Sequence, residues 1–181
     1  MKIEKSQLRE FIESLVIAGV LAFFIITFVA QSFVVDGRSM EPSLSHGERL
    51  FINKFIYRFR EPVRGEVIVF DPGEAVGKQY IKRIVGLPGE ELKIKGGKVF
   101  VDGHQLVEEY TMEPVRGDFG PYEIPESHYF VLGDNRNNSA DSRASFVGFV
   151  PQHAISGLAF WVYWPINQIR VLNEGPVFAG E

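Results

Sequence analysis

The chain has 181 residues, 45% of them hydrophobic and 23% charged, which suits one medium domain with its own core plus a tether. A formal net charge of -4, from 19 basic and 23 acidic side chains, argues against a nucleic-acid surface. The absence of cysteine excludes disulfides, thiol catalysis and zinc–thiolate sites, and His46, His104, His128 and His153 lack metal-ligand spacing, so no metal and no cofactor is expected.

Residues 1–13 are charged and helix-compatible, whereas 14–35 is a run of 22 positions without a charged side chain. As a helix rising about 1.5 Å per residue it would reach roughly 33 Å, enough for a hydrocarbon core of about 30 Å. A core helix apolar on every side would need a larger domain. A cleaved signal sequence would need small residues at −3 and −1, and the best cut, after Ala30, puts Phe28 at −3. The expectation is a cytoplasmic N-terminus at 1–13, an uncleaved transmembrane anchor helix at 14–35 and a globular domain at 36–181. Charge leaves the orientation open, because Lys2, Lys5 and Arg9 before the span are matched by Arg38, Arg49 and Lys54 after it.

Residues 35–44 read Val-Asp-Gly-Arg-Ser-Met-Glu-Pro-Ser-Leu. Gly37 and Pro42 predict a bent backbone that presents Ser39 from a turn. Ser39 lies four residues past Val35, no more than about 13 Å from the end of the apolar run, so a site there would face a bilayer surface.

Beyond Leu44 the period changes to strands, at 49–55, 66–70 and 79–85, each rich in Val, Ile and Phe and bounded by Gly or Pro. Strands at 91–95 and 98–101 are joined by Gly96-Gly97, and Asp102-Gly103 offers a second tight turn. The acidic stretch 108–125, with three prolines and two glycines, reads as a surface excursion. A strand at 128–132, a polar loop at 133–148, a strong strand at 155–164 and a loose tail at 165–181 complete the chain. With no further helix-period segment and no internal repeat, the expected domain is mostly β, curled or barrel-like to protect its edges.

Two groups could serve Ser39. Lys82 shares a strand face with Tyr80 and Ile84, while Arg83 goes to the other face with Ile81 and Val85. A free lysine is a poor base at neutral pH, and burial is what lowers its pKa; the competing role is an edge-strand lysine that discourages aggregation. The loop 133–143, Gly-Asp-Asn-Arg-Asn-Asn-Ser-Ala-Asp-Ser-Arg, is dense in turn-closing side chains, and Asp134, Asp141 and Arg143 can pair. Counted from Asp134, a calcium loop would need an oxygen ligand, Gly and Glu where Arg136, Ser139 and Ser145 stand, so calcium is rejected. The loop instead suits a floor beneath a catalytic site, with Ser139 placed to orient a neutral amine. No Gly-x-Ser-x-Gly elbow surrounds Ser39, which leaves a Ser/Lys pair as the simplest hydrolytic constellation.

Gly-Arg-Ser-Met-Glu-Pro-Ser-Leu at 37–44, Arg-Gly-Glu-Val-Ile-Val-Phe at 64–70, Tyr-Ile-Lys-Arg-Ile-Val-Gly-Leu-Pro-Gly-Glu at 80–90 and the loop at 133–143 resemble the ordered boxes of bacterial type I signal peptidases. The resemblance covers nearly the whole chain. It implies a membrane-bound serine endopeptidase that removes signal peptides from exported preproteins through an acyl-enzyme. It also implies single-pass attachment to the cytoplasmic membrane, N-terminus inside and domain outside, beside the protein export machinery. Matched position by position, it makes Ser39 the nucleophile and Lys82 the general base. Ser139 then bonds the lysine, and Asp134, Asp141 and Arg143 form a supporting network. Val35, Met40, Leu44, Tyr80 and Ile81 fall on the walls of pockets for small residues at −1 and −3. One departure is Gly37, where some members carry a serine whose hydroxyl helps hold the oxyanion; this and the short 91–125 region are similar to the compact Gram-positive type.

Two other readings use the same residues. A self-cleaving repressor would share the Ser/Lys pair but should carry a basic DNA-reading helical domain. A membrane-tethered, non-catalytic β-domain would hold Ser39 and Lys82 incidentally and would not react with serine-directed acylating probes.

Overall fold

A computed structural model describes residues 5–24, 30–73, 77–172 and 177–178. Helix α1 (Lys5–Phe24) opens the chain, and its side chains from residue 7 to 21 are all exposed. No helix among the described residues is long and apolar enough to cross a membrane. The expected helix at 14–35 is corrected accordingly: α1 includes Arg9, Glu10 and Glu13, residues 25–29 lie outside the described residues, and strand β1 (Ala30–Val34) occupies the end of the run. The physical reason is that an uncharged stretch does not itself choose a helix. Gln31, Ser32, Phe33 and Val34 find an antiparallel partner in β2 (Arg49–Asn53), with Phe33 opposite Leu50 and Val34 opposite Arg49. Residues 1–4 of the expected N-terminal segment also lie outside the described residues.

The architecture is mostly β. In chain order there follow β3 (Val67–Phe70), β4 (Tyr80–Gly86), β5 (Glu91–Lys95), β6 (Lys98–Val101), β7 (His104–Val107) and β8 (Phe119–Glu123). The last strands are β9 (His128–Leu132), β10 (Val150–Pro151), β11 (Ile155–Trp164), β12 (Arg170–Val171) and β13 (Val177–Phe178). Two antiparallel sheets result. The larger has the order β1-β2-β11-β3-β4-β9-β10 with β12 against β11, and the smaller has the order β13-β7-β6-β5-β8. The larger sheet is an open, curled path, its strands β4 and β11 interrupted by bulges that increase local twist.

Strand β8 lies inside the stretch expected to be a plain excursion. Its Gly120-Pro121 hides the strand pattern, and a proline is tolerated there because β8 is the edge of its sheet. The tail holds β12 and β13, while 173–176 and 179–181 lie outside the described residues.

Three apolar clusters hold this frame. Val35, Met40, Leu44, Leu50, Ile52, Val69 and Ile81 pack beneath the 37–44 turn. Val85, Phe130 and Leu132 of the large sheet meet Leu92, Ile94, Val99 and Val101 of the small one. Gly86 sits within this cluster without room for a side chain, since a Cβ there would overlap the Ile124 side chain. Ile68, Phe70, Ile84, Tyr129 and Val131 form the third cluster. Strand β4 contributes to all three and is buried from Ile81 to Gly86, between β3 and β9. A polar side chain on such a strand has little water to turn to.

Candidate active site

Met40 and Leu44, both fully buried, pin the 37–44 turn onto the core, and Leu44 N–H donates to the Met40 carbonyl at 2.8 Å. Ser39 projects from this turn, half-buried. In the β3–β4 pairing Lys82 stands opposite Ile68 at the centre of the large sheet. Its side chain is 4% exposed, and its Nζ donates to Ser39 Oγ at 2.7 Å and to the Ile81 carbonyl at 2.7 Å. Burial pushes the Lys82 ammonium down to about 8; the carboxylates of Asp141 and Asp134 oppose that shift, and Lys78 adds slightly to it. A hydroxyl is thus bonded to an amine that sheds its proton near neutrality, which is the pairing that activated nucleophiles require.

The opposite face of β4 carries Arg83, 3% exposed. It holds Asp134 in a bidentate pair at 2.9 and 2.7 Å, donates to the Gly65 carbonyl at 2.9 Å and reaches Ser43 Oγ at 3.3 Å. One guanidinium therefore ties the serine turn, the approach to β3 and the 133–143 loop to the lysine strand. Asn135 fastens the loop to the turn directly, through its N–H to the Ser39 carbonyl at 3.0 Å and its amide to the Arg38 carbonyl at 3.1 Å. At Gly133 the loop passes so close that a Cβ would overlap both the Ser39 carbonyl oxygen and Ser139 Oγ.

Asp141, 1% exposed, accepts from Arg143 Nε and Nη2 at 2.8 Å each and from Gly133 N–H at 3.1 Å. Asp134 pairs with Arg83 rather than with Arg143. The Ser139 hydroxyl is buried and makes no hydrogen bond among the described residues, so the Lys82 amine is oriented by Ser39 and Ile81 here.

Ser39 and Lys82 open into a cleft of about 190 Å³ lined also by Gly37, Tyr80, Ile81 and Ala140. Tyr80 and Ile81 thus lie on its wall, while Val35, Met40 and Leu44 are 2%, 0% and 0% exposed in the cluster below it. None of the four histidines lines this cleft.

Reading the sequence did not single out Arg83, Asn135, or the buried pair of Arg136 with Glu108, whose two contacts are 2.6 Å each. Tyr110 sits among them, its hydroxyl on Glu108 at 2.7 Å and its ring 4.0 Å from the Arg83 guanidinium carbon. A second cation beside Lys82 on a strand whose other side chains are apolar or aromatic was the readable signal for Arg83, because buried arginines require partners. Glu108 and Arg136 carry no such local signal.

A family model described as signal peptidase, peptidase S26, matches residues 8–164. A probable signal peptidase I-2 of Synechocystis is 42% identical over 167 residues, covering 90% of this chain and 76% of that protein. A signal peptidase I P of Bacillus subtilis subsp. natto is 38% identical over 179 residues, covering 93% and 96%. A solved signal peptidase I from Enterococcus faecalis is 33% identical with a TM-score of 0.47, covering 55% of this chain and 97% of that one. With the family match running from α1 to the end of β11, and the relatives aligned over nine-tenths of the chain, the protein belongs to the signal peptidase family, peptidase S26.

Proposed function

We propose that the chain is a serine endopeptidase of the signal peptidase I type, cutting signal peptides from exported preproteins with a Ser39/Lys82 dyad. The observation that carries this reading is the 2.7 Å contact between Ser39 Oγ and a buried Lys82 Nζ within an open cleft. Neutral Lys82 takes the Ser39 proton as Oγ attacks the carbonyl of the residue ending the signal peptide. The lysinium returns that proton to the leaving amine, and the neutral amine then activates water against the acyl-enzyme. The Ser39 backbone N–H is the donor assigned to the oxyanion. Asp134, Asp141 and Arg143, with Arg83, hold the loop that supports the dyad, and the Ser139 hydroxyl, buried and without a partner among the described residues, is assigned to orient the amine beside its contact with Ser39.

Shallow apolar walls at Tyr80 and Ile81, backed by Val35, Met40 and Leu44, suit small side chains at −1 and −3. One methylene is worth only about 1 to 3 kcal/mol, so sharing a membrane with the substrate must add selectivity. Helix α1 is the proposed attachment, leaving the β domain on the extracytoplasmic side of the cytoplasmic membrane beside the export machinery. From Leu8 to Leu21 its large apolar side chains are 50% exposed or more.

The test is cleavage of a purified preprotein by the detergent-solubilised chain beside folded Ser39→Ala and Lys82→Met variants. The expected result is a cut after a small residue and a loss of at least about a thousandfold in both variants. Near-normal activity in Lys82→Met would transfer the base role elsewhere, and equal inactivity of all three chains would leave a tethered binding domain.

A further inference from the structure

We infer that His46 is a positioning residue for the reacting turn, its Nδ1 holding the Gly37 N–H and thereby the segment that delivers Ser39. The inference rests on the reading of Ser39 as the nucleophile. The backbone pairing that leads into the turn stops at Val35, whose N–H donates to the Glu48 carbonyl at 2.9 Å and whose carbonyl accepts from Gly47 at 2.9 Å. Past that point Asp36 and Arg38 are exposed, and Gly37, at φ +99°, has no side chain with which to anchor itself. The Arg38 and Ser39 carbonyls are held from the far side by Asn135. On the near side the Gly37 N–H donates to His46 Nδ1 at 3.0 Å.

The histidine is itself well based. Its neighbour Ser45 donates N–H to Glu48 at 3.1 Å, and Glu48, 3% exposed, is clamped by Arg170 at 2.9 and 2.7 Å. Accepting at Nδ1 puts the ring proton on Nε2. Asp36 Oδ1 is 3.7 Å from the same nitrogen, beyond hydrogen-bond reach, because the carboxylate leans across to Lys78 Nζ at 3.3 Å. Asp36 and Lys78 both line the catalytic cleft, so this pair leaves Nδ1 to the glycine at the cleft mouth. The imidazole is 64% exposed in its turn, so what ties it to the reacting segment is this one acceptor, Nδ1, on the Gly37 N–H.

That directionality gives the test. Asparagine places an acceptor where Nδ1 stands and glutamine where Nε2 stands, while leucine supplies neither. The full chain in detergent is compared as wild type, His46→Leu, His46→Asn and His46→Gln. The readouts are the rate of Ser39 acylation by a serine-directed probe, kcat and KM on a preprotein with alanine at −3 and −1, and the melting temperature. His46→Leu and His46→Gln should lower kcat and acylation roughly fivefold to tenfold with KM changed by less than about twofold, and His46→Asn should restore both. Three variants alike, whether all as active as wild type or all equally impaired, would overturn the role of His46 alone. A wild-type chain never acylated at Ser39 would overturn the proteolytic reading beneath it.

Discussion

At Lys82 two demands meet, since the burial that makes its amine a usable base also opposes folding. The ammonium titrates near 8 in the fold instead of 10.5, so the unfolded chain binds the proton more tightly between those values. Stability contributed at this residue is therefore lowest below pH 8 and recovers as pH rises towards 10.5. Lys82→Met should raise stability at pH 7 by about 3 kcal/mol in urea titrations, with the gain shrinking above pH 8. In the wild type, kcat/KM should climb about tenfold from pH 7 to pH 9 as the neutral fraction grows, and a profile flat over that range would exclude Lys82 as the base. Ser39 and Lys82 were readable in advance because each stands in a distinctive local string. The orphaned Ser139 hydroxyl was not, since what bonds to a hydroxyl depends on loop placement to a fraction of an ångström.

Between elements, the 133–143 loop is held by the connection from β7 to β8 as well as by β4. Arg136 reaches Glu108, and the Asn137 side chain accepts from Arg116 N–H at 2.9 Å and donates to the Pro114 carbonyl at 3.0 Å. The acidic stretch after β7 is therefore a brace for the loop beneath the cleft. Glu108→Leu strands a buried arginine and should cost about 3 to 5 kcal/mol, whereas adding Arg136→Met should recover most of it, as measured by chemical denaturation. Failure of the second change to recover stability would show that the pair does more than neutralise itself. The hairpins were legible from Gly96-Gly97 and Asp102-Gly103, which name their own turns. Strands β1 and β8 were not: an uncharged run serves a helix or a strand equally, and a Gly-Pro pair masks an edge strand.

At the scale of the molecule, apolar side chains gather outside the cores. Besides α1, Val34, Trp164, Ile166, Ile169 and Val171 are each exposed by 49% or more. The uncharged part of α1, from residue 14 to 24, rises about 16 Å, half the depth of a hydrocarbon core. The full chain should float with liposomes, and Ile17→Lys with Leu21→Lys should release it while leaving the hydrolysis of a short soluble peptide unchanged; retention of the doubly charged chain on the vesicles would assign attachment to another surface. Mostly β architecture was legible from alternation and turn residues, but the strand order was not, because β11 enters between β2 and β3 from the far end of the chain. The same topology governs when the enzyme becomes dangerous. Ser39 and Lys82 are separated by 43 residues, and Arg83 and Asp134 by 51. Such distant pairings close late on a folding pathway. A half-folded chain carries an ordinary alcohol and an ordinary ammonium, so the pair that arms this chain comes into being only with the fold itself.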